Sequence, residues 1–324
     1  MHATGAVGPG EPEGLGHAEG LDQVADRDHA ADLDQADDLD QAAAVFTSVR
    51  PRLFGIAYRM LGSATDAEDL VQDVWLRWQT TDRRAVVNPS AFLATATTRL
   101  AINELQSARV RRETYVGPWL PEPVDTSADP YLGAERGEAL EFAALLLMEK
   151  LTPNERAAYV LREAFGYSYA EIAEVVRSTE PAVRQLVSRA RRHMTRERHT
   201  PVAAAAHKEL LTTFVDAARS GDMAALERLF APGVTSLSDG GGRHQVARRA
   251  VVGAEAVAKF LVAMAWFWED VETRFATMNG QTCVVLVAGG SVYGLLAVEA
   301  SDDGIEQLLW MVNPAKNAEI AASA

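Results

Sequence analysis

Between Arg177 and Arg198 seven arginines stand against two acids, Glu180 and Glu197. A local charge of +5 inside a chain of formal charge −14 is an electrostatic footprint for phosphate. Within it Val183, Val187 and Ala190 fall on one side of a helix. Arg184, Gln185, Ser188, Arg189 and Arg192 fall on the other. Arginine and glutamine read guanine and adenine edges bidentately in the major groove. Arg184, Gln185, Ser188 and Arg189 are therefore assigned to bases, and Arg191 and Arg192 mainly to phosphates. A second cluster, Asp66, Asp69 and Asp73, makes one helical stripe with Gln72 and Trp75 alongside. It reads either as an ion-pairing surface with an aromatic anchor or as a solvated face whose early acids favour the helix dipole. Candidates for acid–base catalysis are sparse. The last third of the chain offers His207 and His244, each expected to be exposed, and no acid–base pair at a telling spacing. The single cysteine, Cys283, leaves no thiolate metal cluster and no intrachain disulfide. No catalytic residue, metal or cofactor is assigned.

The elements that must position these groups are mostly helical up to about residue 199. Leu53, Ile56, Ala57, Met60 and Leu61 repeat at helical spacings. Thr65-Asp66-Ala67-Glu68 has the form of a capping box. Asn88-Pro89-Ser90 opens a helix running to about Ala108, and Arg109, Arg111 and Arg112 end that block. Residues 114–133 are a linker rich in proline and glycine, and helix resumes at about Ala134. Two further capping boxes start at Thr152 and Ser168. The turn Arg177-Ser178-Thr179 separates a short helix from the basic one, which is the pattern of a helix-turn-helix.

Beyond about Pro201 helices near 203–219, 222–230 and 254–268 mix with strands near 234–238, 271–277, 282–288, 292–299 and 305–312. The turn Asp239-Gly240-Gly241-Gly242-Arg243 precedes a return at His244–Ala247. Phe275 to Val298 is free of charge but broken by Asn279-Gly280-Gln281 and Gly289-Gly290-Ser291, which suits strands joined by turns and not a membrane span. The aromatic residues Trp266, Phe267, Trp268, Tyr293 and Trp310 are assigned to the core. The expected fold is multidomain: two all-α domains, the second a helix-turn-helix, followed by an α+β cone.

With 324 residues the chain is long enough for several cores, and its charge is uneven: −10 over residues 1–44, +1 over 45–199 and −5 over 200–324. The leader repeats Leu-Asp-Gln and reads as a solvated, disordered segment, with an acidic mimic of DNA as the sharper alternative. No signal peptide is read, and the protein is expected to be soluble and cytoplasmic.

Three segments resemble a bacterial sigma factor of the extracytoplasmic-function type. Asp66-Ala67-Glu68-Asp69-Leu70-Val71-Gln72-Asp73-Val74-Trp75 is similar to the polymerase-binding helix of sigma region two. Asn88-Pro89-Ser90-Ala91-Phe92-Leu93 through Asn103 resembles the helix that opens and reads the −10 element, and Leu151-Thr152-Pro153 through Arg192 resembles region four, which reads the −35 element. The remainder is similar to the subclass carrying a C-terminal SnoaL-like (NTF2-like) domain. Its hallmarks are Trp119-Leu120-Pro121-Glu122-Pro123 and Asp239 to Arg243; Asn313-Pro314-Ala315-Lys316-Asn317 stands where the subclass usually has Asn-Pro-Asp-Lys-Leu.

The resemblance implies a leader at 1–44, region two at 45–113, a linker at 114–133, region four at 134–199, a regulatory domain at 203–318 and a tail at 319–324. It implies that Asp66, Asp69, Gln72, Asp73 and Trp75 bind core RNA polymerase. The expected contacts are the clamp helices of the largest subunit and the flap of the second-largest. Arg99 and Asn103 would meet −10 bases, with Arg109, Arg111 and Arg112 on the backbone. Trp119, Pro121, Asp239, Arg243, Asn313, Pro314 and Lys316 would make regulatory contacts in cis, replacing a separate anti-sigma factor. Promoter DNA is the other partner, with no membrane. Two alternatives remain at this point: a helix-turn-helix regulator with a ligand-sensing domain, and a SnoaL-like enzyme with a DNA-binding appendage.

Overall fold

The computed structural model describes residues 18–127, 140–197, 202–243 and 246–317, with His2, Thr200 and Ile320; over 18–37 and at Glu197 it describes the backbone alone. The chain divides into two units, residues 1–48 and 49–324. In the first unit the backbone is helical from Ala18, as the beginning of α1 (Ala18–Leu61). This differs from the disordered leader expected from composition. The alanines, leucines and glutamines of that stretch are good helix formers, so local propensity favours a helix even where charge is high.

In the second unit Leu53, Ile56, Ala57, Met60 and Leu61 are fully buried, as their spacing predicts. Helices α2 (Ala64–Gln79) and α3 (Pro89–Glu113) follow. Asn88 opens α3 by accepting the Ala91 N–H at 3.1 Å, with Pro89 in the first turn, where a missing N–H costs nothing. The start of α2 departs from the expected box. Ser63, not Thr65, is the N-cap and takes the Asp66 N–H at 3.0 Å. Glu68 instead pairs with Arg50, and the Thr65 N–H goes to Glu122 of the linker at 2.9 Å.

Of the helix expected from about Ala134, residues 134–139 lie outside the described residues, and α4 spans Phe142–Met148. The helices α5 (Pro153–Glu163), α6 (Tyr169–Val175) and α7 (Glu180–Glu197) form the helix-turn-helix region. Both capping boxes are present, Thr152 with Glu155 and Ser168 with Glu171. The turn closes with Arg177 in the left-handed region at φ +52°, and the Ser178 N–H reaches back to the Ala173 carbonyl at 2.9 Å.

The C-terminal part carries α8 (Ala204–Ser220), α9 (Met223–Leu229), α10 (Ala254–Ala263) and six strands. These are β1 (Phe230–Asp239), β2 (Val251–Val252), β3 (Val271–Met278), β4 (Gln281–Ala288), β5 (Ser291–Ser301) and β6 (Gly304–Met311). The sheet order is β2-β1-β6-β5-β4-β3, antiparallel except for β1 with β6. The return expected at His244–Ala247 lies partly outside the described residues; the described pairing to β1 comes from β2.

At the central strands β4, β5 and β6 both faces of this sheet are buried. Val284, Leu286, Leu296, Val298, Leu308 and Trp310 pack under the sheet's own helices with Leu211, Phe214 and Leu261. Their neighbours Cys283, Val285, Leu295, Ala297, Leu309 and Met311 pack on the opposite side against Leu120 of the linker, Phe142 of α4 and Ile320. Period-two alternation with both sides apolar is what turns these strands into unbroken apolar runs. The cone and the helical part therefore share a core, in which a side chain such as Leu120 contributes roughly 1.5–3 kcal/mol. Among the described residues no helix is long and apolar enough to cross a membrane.

Candidate nucleic-acid interface and its interdomain junction

On α7 all six predicted reading residues, Arg184, Gln185, Ser188, Arg189, Arg191 and Arg192, are exposed, and Val183, Val187 and Ala190 are buried beneath them. Several guanidiniums are already engaged. Arg184 pairs with Glu180 one turn earlier and lies 4.6 Å from the Tyr169 ring. Arg189 Nε donates to Glu155 at 2.8 Å, and Arg191 to Glu163 at 2.7 and 3.0 Å. These acids orient the arginines while leaving their outer faces to solvent.

The residues expected at the −10 element are placed differently, for only Asn103 and Arg111 are exposed. Arg99 donates to the carbonyls of Glu174 and Val175 at 2.8 and 2.9 Å, so it caps the C-terminus of α6. Arg109 donates to the carbonyls of Glu149 and Leu151. Arg112 pairs with Glu149 and donates to the Leu61 carbonyl. Arg111 bonds Glu104 at 2.8 Å and Asp66 at 3.3 Å. In this conformation the face of α3 holds the helix-turn-helix region and the linker. Beside it, Trp78, Phe92, Leu93 and Asn103 line a cavity of about 480 Å³, and Arg177 of the helix-turn-helix turn stands at its wall.

Glu149 sits at the centre of that junction, between Arg112 and the fully buried Arg156. Burial alone raises its carboxyl, but Arg156 and Arg112 outweigh burial and hold it below its ordinary value. The Arg112 guanidinium is pushed down by its own burial, against the pull of Glu149.

The acidic stripe on α2, expected to dock polymerase, is open. Asp69, Gln72 and Asp73 are exposed and Asp66 half-buried along a groove that Leu76, Asn103 and Glu104 complete, while Trp75, half-buried, is not among the residues lining it.

Of the predicted regulatory residues, Trp119, Asp239, Asn313, Pro314 and Lys316 meet around one buried carboxylate. Asp239 takes the Tyr115 hydroxyl, the Leu120 N–H at 3.0 Å and Lys316 Nζ at 2.8 Å. Lys316 also donates to the Leu120 carbonyl at 2.5 Å. Its ammonium lies 4.3 Å from the Trp119 ring, and the Arg112 guanidinium 3.6 Å from the same ring. Burial pushes the Lys316 ammonium down, against the pull of Asp239. Burial, then Asp239, pushes the Tyr115 phenol up. Asn313 donates to the Tyr115 hydroxyl at 2.8 Å and, with Pro314 in the first position, caps the short turn that presents Lys316. Pro121 is buried in the linker.

Arg243 is not part of this cluster; it lies 5.0 Å from the Tyr293 ring, inside the cone. Asn317, at the position where leucine is usual, donates to the Tyr293 carbonyl at 3.0 Å. His207 is half-buried, with Nε2 2.9 Å from the Val298 carbonyl, and His244 lies outside the described residues. Trp268 and Trp310 are core, but Trp266 is exposed. Tyr58, Tyr115, Glu122, Glu149, Arg156 and Asn279 escaped the sequence reading. Two signals lay among them: Asn279-Gly280, which reads as a turn and nothing more, and Glu122, which stands within the Trp119–Pro123 hallmark without an assigned role.

Two helical domains, the second a helix-turn-helix, joined through a shared core to an α+β cone define a class of transcription initiation factor. Residues 45–111 match the Sigma-70 region 2 family and residues 141–194 the Sigma-70, region 4 family. The chain is 39% identical to the ECF RNA polymerase sigma factor SigJ of Mycobacterium tuberculosis over 227 residues, 68% of this chain and 72% of that protein. It is 29% identical to the probable ECF RNA polymerase sigma factor SigI of the same organism over 278 residues, 84% and 93% of the two chains. The crystal structure of M. tuberculosis SigJ superposes with a TM-score of 0.69 at 33% identity, covering 86% of this chain and 98% of that one. The chain belongs to the extracytoplasmic-function sigma factors of the sigma-70 type, with a C-terminal NTF2-like extension.

Proposed function

We propose that this sigma factor binds core RNA polymerase through the α2 stripe, directs it to −35 and −10 promoter elements, and is held closed in cis by its C-terminal domain. It acts as an initiation factor, without chemistry of its own, alongside polymerase in the cytoplasm. Asp66, Asp69, Gln72, Asp73 and Trp75 dock on the clamp helices. Arg184, Gln185, Ser188 and Arg189 read −35 bases, and Arg191 and Arg192 hold phosphates. Arg99 and Asn103 read −10 bases once exposed, with Arg109, Arg111 and Arg112 on the strand, and the Phe92 ring at the cavity mouth offers a stacking face.

One observation carries the regulatory part: Arg99, Arg109 and Arg112 spend their donors on the chain's own carbonyls. With Nε and Nη2 of Arg99 on the carbonyls that end α6, the bidentate edge of its guanidinium is taken and is not offered to a phosphate. Because the chain itself covers that face, no separate anti-sigma factor is required for closure. The contacts at Asp239, Asn313 and Lys316 hold the linker on the cone, and so supply the differential interaction that a two-state switch requires.

In-vitro transcription with bacterial core polymerase on a promoter library, comparing the full chain with one ended after Thr200, tests both parts. Specific transcripts from both, more from the shorter chain, are expected. Equal yields would remove regulation in cis, and no specific initiation from either would remove the promoter-directing role.

A further inference from the structure

Asn279 stands at the tip of the β3–β4 hairpin with φ +53°, and the hairpin alone explains an asparagine there. It does not explain the side chain, which is fully buried and satisfied entirely from outside the hairpin. Asn279 Oδ1 accepts the Val124 N–H at 2.9 Å. Its Nδ2 donates to Tyr58 Oη at 2.6 Å and to the Leu140 carbonyl at 2.9 Å. The main-chain N–H donates to the Val124 carbonyl at 2.9 Å. One turn residue of the cone thus grips α1, the linker and the segment leading into α4.

Tyr58 extends the connection. Its hydroxyl, fully buried, donates to the Glu122 carbonyl at 2.6 Å. The Glu122 carboxylate lies on the N-terminus of α2, taking the Ser63 hydroxyl and the Thr65 N–H at 2.9 Å each, while the Glu122 N–H bonds the Gly62 carbonyl at 2.9 Å. The linker thereby satisfies an orphan N–H of the helix that carries Asp66, Asp69 and Asp73. A continuous hydrogen-bonded path leads from the cone to the start of that helix through Asn279, Tyr58 and Glu122.

We propose that Asn279 is an uncharged latch, a positioning residue that ties the linker and the start of α2 to the C-terminal domain and couples polymerase docking to release of the cone. This rests on the cis-regulated sigma reading above and adds to it a second fastening, apart from the Asp239–Lys316 cluster and of different chemistry. Opening it strands no charge, because Tyr58, Val124 and Leu140 hydrate freely once parted. Linkage makes the effect reciprocal: polymerase on α2 loosens the latch, and loosening the latch favours polymerase.

The test uses the full chain. Asn279→Gly keeps the positive φ and removes the side chain; Asn279→Asp keeps the turn and the acceptor for Val124 and removes the Nδ2 donors; Tyr58→Phe removes one hydroxyl. Amide exchange over residues 115–127 is followed by mass spectrometry, and transcription is measured with core polymerase. The linker amides should exchange about tenfold faster in each variant, with more transcript. Tyr58→Phe combined with Asn279→Gly should do no more than the stronger single change, as for residues acting in one network. Exchange as in the parent chain, or full additivity in the double variant, would overturn the latch. Asp239→Ala separates the two levels. If it raises transcription while the Asn279 variants behave as the parent, the latch fails and cis control stands. If it leaves transcription unchanged along with them, both fail.

Discussion

The two helices proposed to read DNA keep their arginines in different company. On α7, Arg184, Arg189 and Arg191 face solvent with side-chain exposures of 58%, 53% and 51%, and pair with acids of their own domain. On α3, Arg99, Arg109 and Arg112 give their donors to main-chain carbonyls of other segments, and Arg112 is 14% exposed. A carbonyl row at a helix end and a phosphate backbone make similar demands on a guanidinium, namely several acceptors in a small arc. The residues suited to hold single-stranded DNA are for that reason suited to fasten the protein shut. On the proposed reading the −35 helix is presented in the closed form, whereas the −10 helix must exchange protein partners for nucleic acid. Promoter opening is then the step that the proposed closure withholds.

The largest effect should come from the charged cluster. Asp239→Ala leaves Lys316 buried without its carboxylate, at a cost of about 3–5 kcal/mol. A lower Tm is expected, together with faster modification of Cys283 by a thiol reagent. Cys283 is the sole cysteine, fully buried beside Leu120 and Phe142, with its thiol pushed up by burial. An unchanged modification rate would mean that the cluster does not hold the linker to the sheet.

Substitutions on the two helices should then part company. Arg184→Ala should cost about 1–3 kcal/mol of promoter affinity and relax preference at one base pair, leaving closure intact. Arg99→Ala should release α6 by roughly 1.5–3 kcal/mol, the range for hydrogen bonds from a charged donor. The measurements are competition binding to −35 duplexes and exchange of the α6 amides. If Arg99→Ala lowered duplex binding and left α6 protected, the contrast between the helices would collapse.

Acid sharpens the same contrast. Glu149 is depressed in the folded protein, because Arg156 and Arg112 overcome the opposing effect of burial. Its contribution is therefore fully present above the ordinary carboxyl value of 4.5 and is lost as pH falls through the depressed one. Urea midpoints taken across that window should fall for the parent chain and fall less for Glu149→Gln, which starts lower at neutral pH. Parallel curves would show that Glu149 carries no part of the acid response.

Much of this was legible in the sequence. Capping boxes at Thr152 and Ser168 and the strand pattern after Val271 are local signals, and the structure contains them. The α7 face follows from a helical period alone. The partners of Arg99, Arg109 and Arg112 were not legible, since the carbonyls they meet lie 40 or more residues away in the chain. The capping box expected at Thr65 failed for a similar reason: a carboxylate 57 residues later took the N–H. The uncharged run from Phe275 to Val298 did hold a long-range message, because a sheet apolar on both faces needs a cover on each. Periodicity could not say that the second cover was Leu120 and Phe142.

The smallest expected effect tests whether the exposed helix is ready to bind as it stands. Arg184 and Glu180 form an i,i+4 pair with side chains 58% and 42% exposed, the kind that contributes about 0.3–0.5 kcal/mol. Glu180→Gln should therefore barely move the Tm. At the DNA surface its two consequences point the same way, because the change frees the Arg184 guanidinium and removes an acid from the N-terminal turn that approaches phosphate. Duplex affinity should rise by about two- to threefold at low salt, with the gain shrinking as salt screens the remaining charges. A loss of affinity would show instead that Glu180 aims Arg184 at its base, and that α7, like α3, depends on a protein partner for its readout.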